Sequence, residues 1–237
     1  MADRFIDRYR VLILDMGNTF MFGADRFGED ENFAATYHAI GGAALPPERV
    51  HRVIRAAYLG MLAAARDPLR YDDYPTLREF LRELPEASGI DERERNRLME
   101  VFARHEMGVI PPPYVQALER LRETHLLGLI SNIWAPSRHF VRALHEAGVF
   151  RLFRTPVFSS DHRRVKPSRY LFAKALEGLQ CDPDEAAYVG DNFKRDVVGA
   201  KSAGLAAIWI RTGETEYDPH GLTPDLVIGD LLELLES

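Results

Sequence analysis

Val11, Leu12, Ile13 and Leu14 follow one another without polar interruption and run into Asp15 and the turn-prone Met16-Gly17-Asn18-Thr19. An apolar run of this kind predicts a parallel strand buried on both faces, ending at the sheet edge where α/β proteins bind ligands. Asp15 then either caps the next turn or faces a ligand. From residue 20 to about 108 the pattern changes to helical spacing with hardly any strand signal. Glu31 to Ile40 reads as one short helix. Pro46-Pro47 opens a longer one, with Val50, Val53, Ile54, Ala57, Met61, Leu62 and Ala65 on one face and His51, Arg52 and Arg55 on the other. Thr76 and Glu79 read as a capping box ahead of Leu77, Phe80, Leu81 and Leu84, and Asp91 with Glu94 repeats that logic before Leu98, Val101 and Phe102.

Pro111-Pro112-Pro113 cannot continue a helix, so the helical segment ends there. Beyond it, strands expected over 126–131, 155–159, 187–190, 206–210 and 226–228 alternate with helices over 114–124, 136–147, 167–179, 193–203 and from 230 onward. Regular alternation of this kind predicts an α/β fold, a doubly wound parallel sheet. The expected organisation is a core domain of residues 1–19 and 109–237 carrying an inserted α-helical cap domain, 20–108.

Composition narrows the function classes. With 237 residues and a net charge of −6, the chain has no general attraction for nucleic acid or an anionic membrane, so an anionic substrate must be held by local charge. One cysteine, Cys181, excludes an internal disulfide and any cysteine-rich metal site. Met1-Ala2-Asp3-Arg4 opens a charged stretch, and no run reaches membrane-spanning length; the expectation is a soluble cytoplasmic protein. Lysines are confined to Lys166, Lys174, Lys194 and Lys201.

Three further strand ends bring polar groups to the edge where Asp15 sits. Leu129-Ile130-Ser131-Asn132 ends in a hydroxyl and an amide, suited to an oxyanion or to a simple turn. Val165-Lys166-Pro167 sets a cation before a helix N-terminus, where an anion is favoured. Gly190-Asp191-Asn192-Phe193-Lys194-Arg195-Asp196 places two carboxylates five residues apart across a strand-to-helix turn, as caps or as a site.

The order and spacing of these four segments resemble the haloacid dehalogenase (HAD) superfamily over nearly the whole chain, with Val165 to Phe172 and Gly190 to Ala200 especially close to its third and fourth motifs. The resemblance implies a Rossmann-like core with a helical cap, and a phosphatase acting on a small phosphorylated, anionic molecule. It implies Asp15 as nucleophile, Ser131 and Lys166 as groups acting on the transferring group, and Asn18, Thr19 and Asn132 as further substrate contacts. It also implies Mg²⁺ held by Asp15, the Gly17 carbonyl and Asp191, with Asp196 in support.

The first motif departs from the pattern. Phosphatases of the family carry a second Asp two residues after the nucleophile as general acid and base, and here Gly17 stands there. Asp25, His38 and His51 are the nearby groups that would substitute. The phosphonate-cleaving branch needs a cap lysine, and no lysine precedes Lys166. Dehalogenases of the family use no metal and usually carry an aromatic at that position. Two alternatives therefore stand beside the phosphatase: a haloacid-type dehalogenase using Asp15, and a non-catalytic protein that keeps the pocket for ligand binding.

Overall fold

Alternating strand faces divide the apolar residues of the sheet between two cores. In the computed structural model, which describes residues 4–213 and 221–236, six parallel strands form one sheet; Met1 to Asp3, the start of the polar N-terminal stretch, lie outside the described residues. They are β1 (Val11–Leu14), β2 (Leu126–Ser131), β3 (Phe153–Phe158), β4 (Ala186–Gly190), β5 (Ala206–Ile210) and β6 (Leu226–Ile228), in the order β3-β2-β1-β4-β5-β6. Leu12, Leu14, Leu127, Leu129, Ala187 and Val189 face one core, while Val11, Ile13, Ile130, Tyr188 and Trp209 face the other.

Helices cover both faces. Leu118 and Leu121 of α5 (Pro112–Thr124) and Phe140 and Leu144 of α6 (Arg138–Glu146) join the first core. Leu171, Phe172 and Ala175 of α7 (Arg169–Leu179) and Ala200 of α8 (Val198–Ser202) join the second. The numbers α1 to α4 belong to the segment between β1 and β2: α1 (Phe33–Ala39), α2 (Pro47–Arg66), α3 (Leu77–Glu83) and α4 (Glu92–Glu106). Their apolar stripes, including Val50, Val53, Ile54, Leu77, Leu81, Leu98 and Phe102, close on one another and are continuous with the first core. The chain enters and leaves this segment side by side, for Phe22 and Val109 exchange two backbone hydrogen bonds of 2.8 Å.

The strand order reverses at β1, with β2 on one side and β4 on the other, so the crevice at the switch point opens beyond the ends of these strands. Three details differ from the sequence expectation. The helix expected over 193–203 begins as a π-helical turn, Phe193–Val197, before α8. The Asn192 side chain accepts from Arg195 N at 2.9 Å while Asp196 Oδ2 accepts from Asn192 N at 2.8 Å, a pair of bonds that holds this turn wide. The last helix is a 3-10 turn, Leu231–Leu235. Asp91 does cap α4 through Glu94 N, but the Glu94 carboxylate goes to Tyr37 and Arg97 instead of returning to the cap, because burial drew it to partners in the core.

Candidate active site

Asp15 follows directly on β1 and is buried, with 7% of its surface exposed. Its amide donates to Val189 O at 2.8 Å, which extends the sheet ladder by one residue and aims the side chain into the crevice. Lys166 reaches it from the loop before α7. The Lys166 ammonium donates to Asp15 Oδ1 at 2.7 Å, Asp196 Oδ1 at 2.7 Å and the Tyr188 hydroxyl at 2.8 Å. A buried lysine with two carboxylates is held charged: burial opposes the ammonium, and Asp15 and Asp196 outweigh it and raise its pKa. Burial likewise raises Asp15 to about 7 in spite of Lys166, with Asp196 and Asp191 adding repulsion.

Asp191 stands just beyond β4, where its carboxylate accepts from Asn18 Nδ2 at 3.2 Å. Asn18 makes that reach from a left-handed backbone (φ 52°), a conformation asparagine adopts more readily than most residues. Oxygens of Asp15, Asp191 and Asp196 lie within 4.8 Å of one another. An all-oxygen, carboxylate-rich set of that span suits a hard divalent cation such as Mg²⁺.

A cavity of about 270 Å³ opens over this cluster, lined by Asp15, Gly17, Asn18, Ser131, Asn132, Lys166 and Asp191 among others. Ser131 is at the end of β2 and buried at the cavity wall. Asn132 does more than line it: its Oδ1 accepts from Lys166 N at 2.8 Å and its Nδ2 donates to Lys166 O at 3.4 Å, fixing the loop that carries the lysine. Thr19 is buried with no partner for its hydroxyl among the described residues, and it is absent from the cavity wall. A Cβ built on Gly17 would meet nothing within 4 Å, so packing does not demand glycine there.

Of the three side chains considered as replacements for the missing carboxylate, Asp25 alone lines the cavity. His38 Nδ1 lies 2.9 Å from Gly42 O and His51 Nε2 lies 2.9 Å from Glu29 O, both away from it. Asp25 has a left-handed backbone (φ 56°), and burial raises its pKa against the pull of Arg195.

Three contributors lay outside the sequence reading. Tyr188 is buried on β4 and links Lys166 to Asp196, Oη to Oδ1 at 3.2 Å; only its position two residues before Gly190 hinted at it. Ser159, after β3, exchanges hydrogen bonds with Ile133 N at 2.9 Å and Ile133 O at 2.8 Å and pins the loop after Ser131. Glu106, the last residue of α4, accepts from Trp134 N at 2.6 Å and Ala135 N at 2.8 Å. A glutamate at the end of the charged stretch Glu92 to Glu106 carried no signal of that role.

Comparisons with known proteins agree with this frame. The HAD-hydrolase-like family model matches residues 164–234. A phosphoserine phosphatase of Thermus thermophilus is 36% identical over 178 residues, covering 74% of this chain and 68% of that protein. A glyceraldehyde 3-phosphate phosphatase of Methanopyrus kandleri is 31% identical over 129 residues, and there the match spans about half of each chain, 53% and 54%. In fold the chain is similar to the crystal structure of a 2-haloacid dehalogenase from Pseudomonas syringae, with a TM-score of 0.66 and 24% identity over 96% of this chain and 97% of that one. On its sheet, its four strand-end segments and its sequence relatives, the chain belongs to the HAD superfamily of hydrolases.

Proposed function

We propose that the protein is a Mg²⁺-dependent phosphatase that cleaves a small phosphate monoester through an aspartyl intermediate on Asp15. The observation that carries this reading is the Asp15, Asp191 and Asp196 oxygen cluster, with Lys166 paired to Asp15 and Asp196, because a dehalogenase has no use for a metal-binding set. The phosphatases among the sequence relatives support the phosphoryl substrate. Residues 20–108 would serve as the cap over the site.

In this mechanism an Asp15 oxygen attacks phosphorus, and the bond between phosphorus and the leaving alkoxide breaks. Ser131 donates to a phosphoryl oxygen, and Lys166 offsets the repulsion between Asp15 and the anionic ester. Asp25 gives its proton to the departing oxygen. It then takes a proton from the water that attacks the phosphoaspartate, and inorganic phosphate leaves with Asp15 restored. Mg²⁺, held by Asp15, Asp191 and the Gly17 carbonyl with Asp196 in support, would supply positive charge to the phosphoryl oxygens.

A pre-steady-state time course with an activated aryl phosphate and Mg²⁺ tests this. Wild type is expected to give a burst and then steady turnover, Asp15→Asn neither, and a chelator is expected to abolish turnover. Activity that survives the chelator on 2-haloacids, with none on phosphates, would replace the phosphatase by a dehalogenase. Binding of phosphorylated ligands without any turnover would leave the non-catalytic alternative.

A further inference from the structure

A second, larger chamber of about 640 Å³ adjoins the catalytic cavity, and the two share Asp25, Glu106, Asn132 and Arg195 in their walls. The chamber differs from the cavity in chemistry. Its walls carry the rings of Tyr58, Tyr71 and Trp134, each half-buried. Tyr58 and Trp134 lie with ring centroids 5.8 Å apart at 54°, from α2 and from the loop after β2, so they form an angled apolar wall. Leu62 and Ala65 of α2 add aliphatic surface to the same chamber.

Charge is distributed unevenly. Arg195 stands among the carboxylates of Asp196, Asp15, Asp191 and Asp25, so its charge is answered from the catalytic side. Glu106 is committed to the Trp134 and Ala135 amides. Arg66, at the end of α2, and Lys194, 5.7 Å above the Tyr71 ring, also line the chamber and have no ion-pair partner among the described residues. Many other cations are paired, among them Arg78, Arg82, Arg97 and Arg163. Two cations without an ion-pair partner among the described residues, beside three half-buried rings that line one chamber, make a surface that favours a flat anion.

We propose that the outer chamber is the leaving-group site, and that the substrate is a phosphate monoester whose leaving group carries a flat ring and a second negative charge. The inference rests on the phosphatase reading. The ester oxygen then falls at the junction of the two spaces, where Asp25 sits, with the phosphoryl group inward against Asp15 and the ring outward against Trp134 and Tyr58. The second anion faces Arg66 and Lys194.

Comparing phenyl phosphate with 3-carboxyphenyl phosphate tests this, since both leave as phenoxides and differ mainly in the added charge. For wild type, kcat/KM is expected to be about 5-fold to 10-fold higher for the carboxylated ester at low ionic strength and to converge with the plain ester at high salt. Arg66→Ala with Lys194→Ala is expected to erase that preference through KM while leaving phenyl phosphate within about 2-fold of wild type. Trp134→Ala is expected to raise KM for both aryl esters. Turnover of both esters without preference, or a double variant that slows both alike, overturns the chamber assignment and leaves the phosphatase standing. No turnover of either ester by folded wild type removes the phosphatase reading and this inference with it.

Discussion

Asp25 and Gly17 pose one question from two sides. A Cβ at Gly17 would meet nothing within 4 Å, and the cavity already contains a carboxylate at Asp25 whose pKa burial raises against the pull of Arg195. A positioned acid and base contributes about 10²–10⁴-fold to rate. Asp25→Asn is therefore expected to lose about that much on an alkyl phosphate and far less in the first step on an activated aryl phosphate, whose leaving group departs without a proton. Adding Gly17→Asp to Asp25→Asn is expected to restore alkyl phosphate turnover, measured as kcat. Equal losses on both esters with no rescue would make Asp25 a structural residue.

Among the elements, α3 shows how far local chemistry reaches. Thr76 accepts from Glu79 N at 3.2 Å and Glu79 Oε2 accepts from Thr76 N at 2.9 Å, the reciprocal pair that the sequence spacing predicts. Thr76→Ala is expected to lower unfolding free energy by about 1 kcal/mol in denaturant titration, with little change in kinetics. At Asp91 the same spacing gave only half of the motif. A capping box is local and weak, whereas the buried Glu94 answers to Tyr37 and Arg97, and the stronger environment decided its rotamer. The π-helical turn at Phe193–Val197 was equally illegible, since helical spacing alone does not report that Asp196 must turn back to Asn192 N and Lys166.

Across the whole molecule, Glu106 ties α4 to the loop that follows β2. It also makes stability depend on pH. Burial raises its pKa from 4.5 to about 8, against the two backbone amides it accepts from. A carboxyl whose folded pKa exceeds its unfolded value contributes stability that is fully present below the unfolded pKa and is lost as pH rises through the folded one. Thermal midpoints of wild type are therefore expected to fall between about pH 5 and pH 8, and Glu106→Gln is expected to flatten that slope while lowering the midpoint at pH 5. An unchanged slope in the variant would assign the dependence to other groups. Residues 71–74 make a second tie, with Val165 N donating to Tyr71 O at 3.0 Å and Tyr74 N to Arg163 O at 2.8 Å, so the helical segment also holds the loop of Lys166.

Features written locally and repeated were legible from the order of residues alone: the apolar run of β1, the strand-helix alternation after Pro113, the helical stripes of 20–108, and polar residues at four strand ends. Physics makes these legible because strand burial and helix amphipathicity leave fixed periods, and because strand ends of a doubly wound sheet meet at one edge. Which polar groups converge was settled by the folded chain. It set Tyr188 and Asp196 on Lys166, turned Asn132 to the backbone of that lysine, left Thr19 off the cavity wall, and brought Asp25 to that wall but neither His38 nor His51. Those outcomes depend on contacts between residues far apart in the chain, and on how burial ranks competing hydrogen bonds, and neither leaves a period in the sequence.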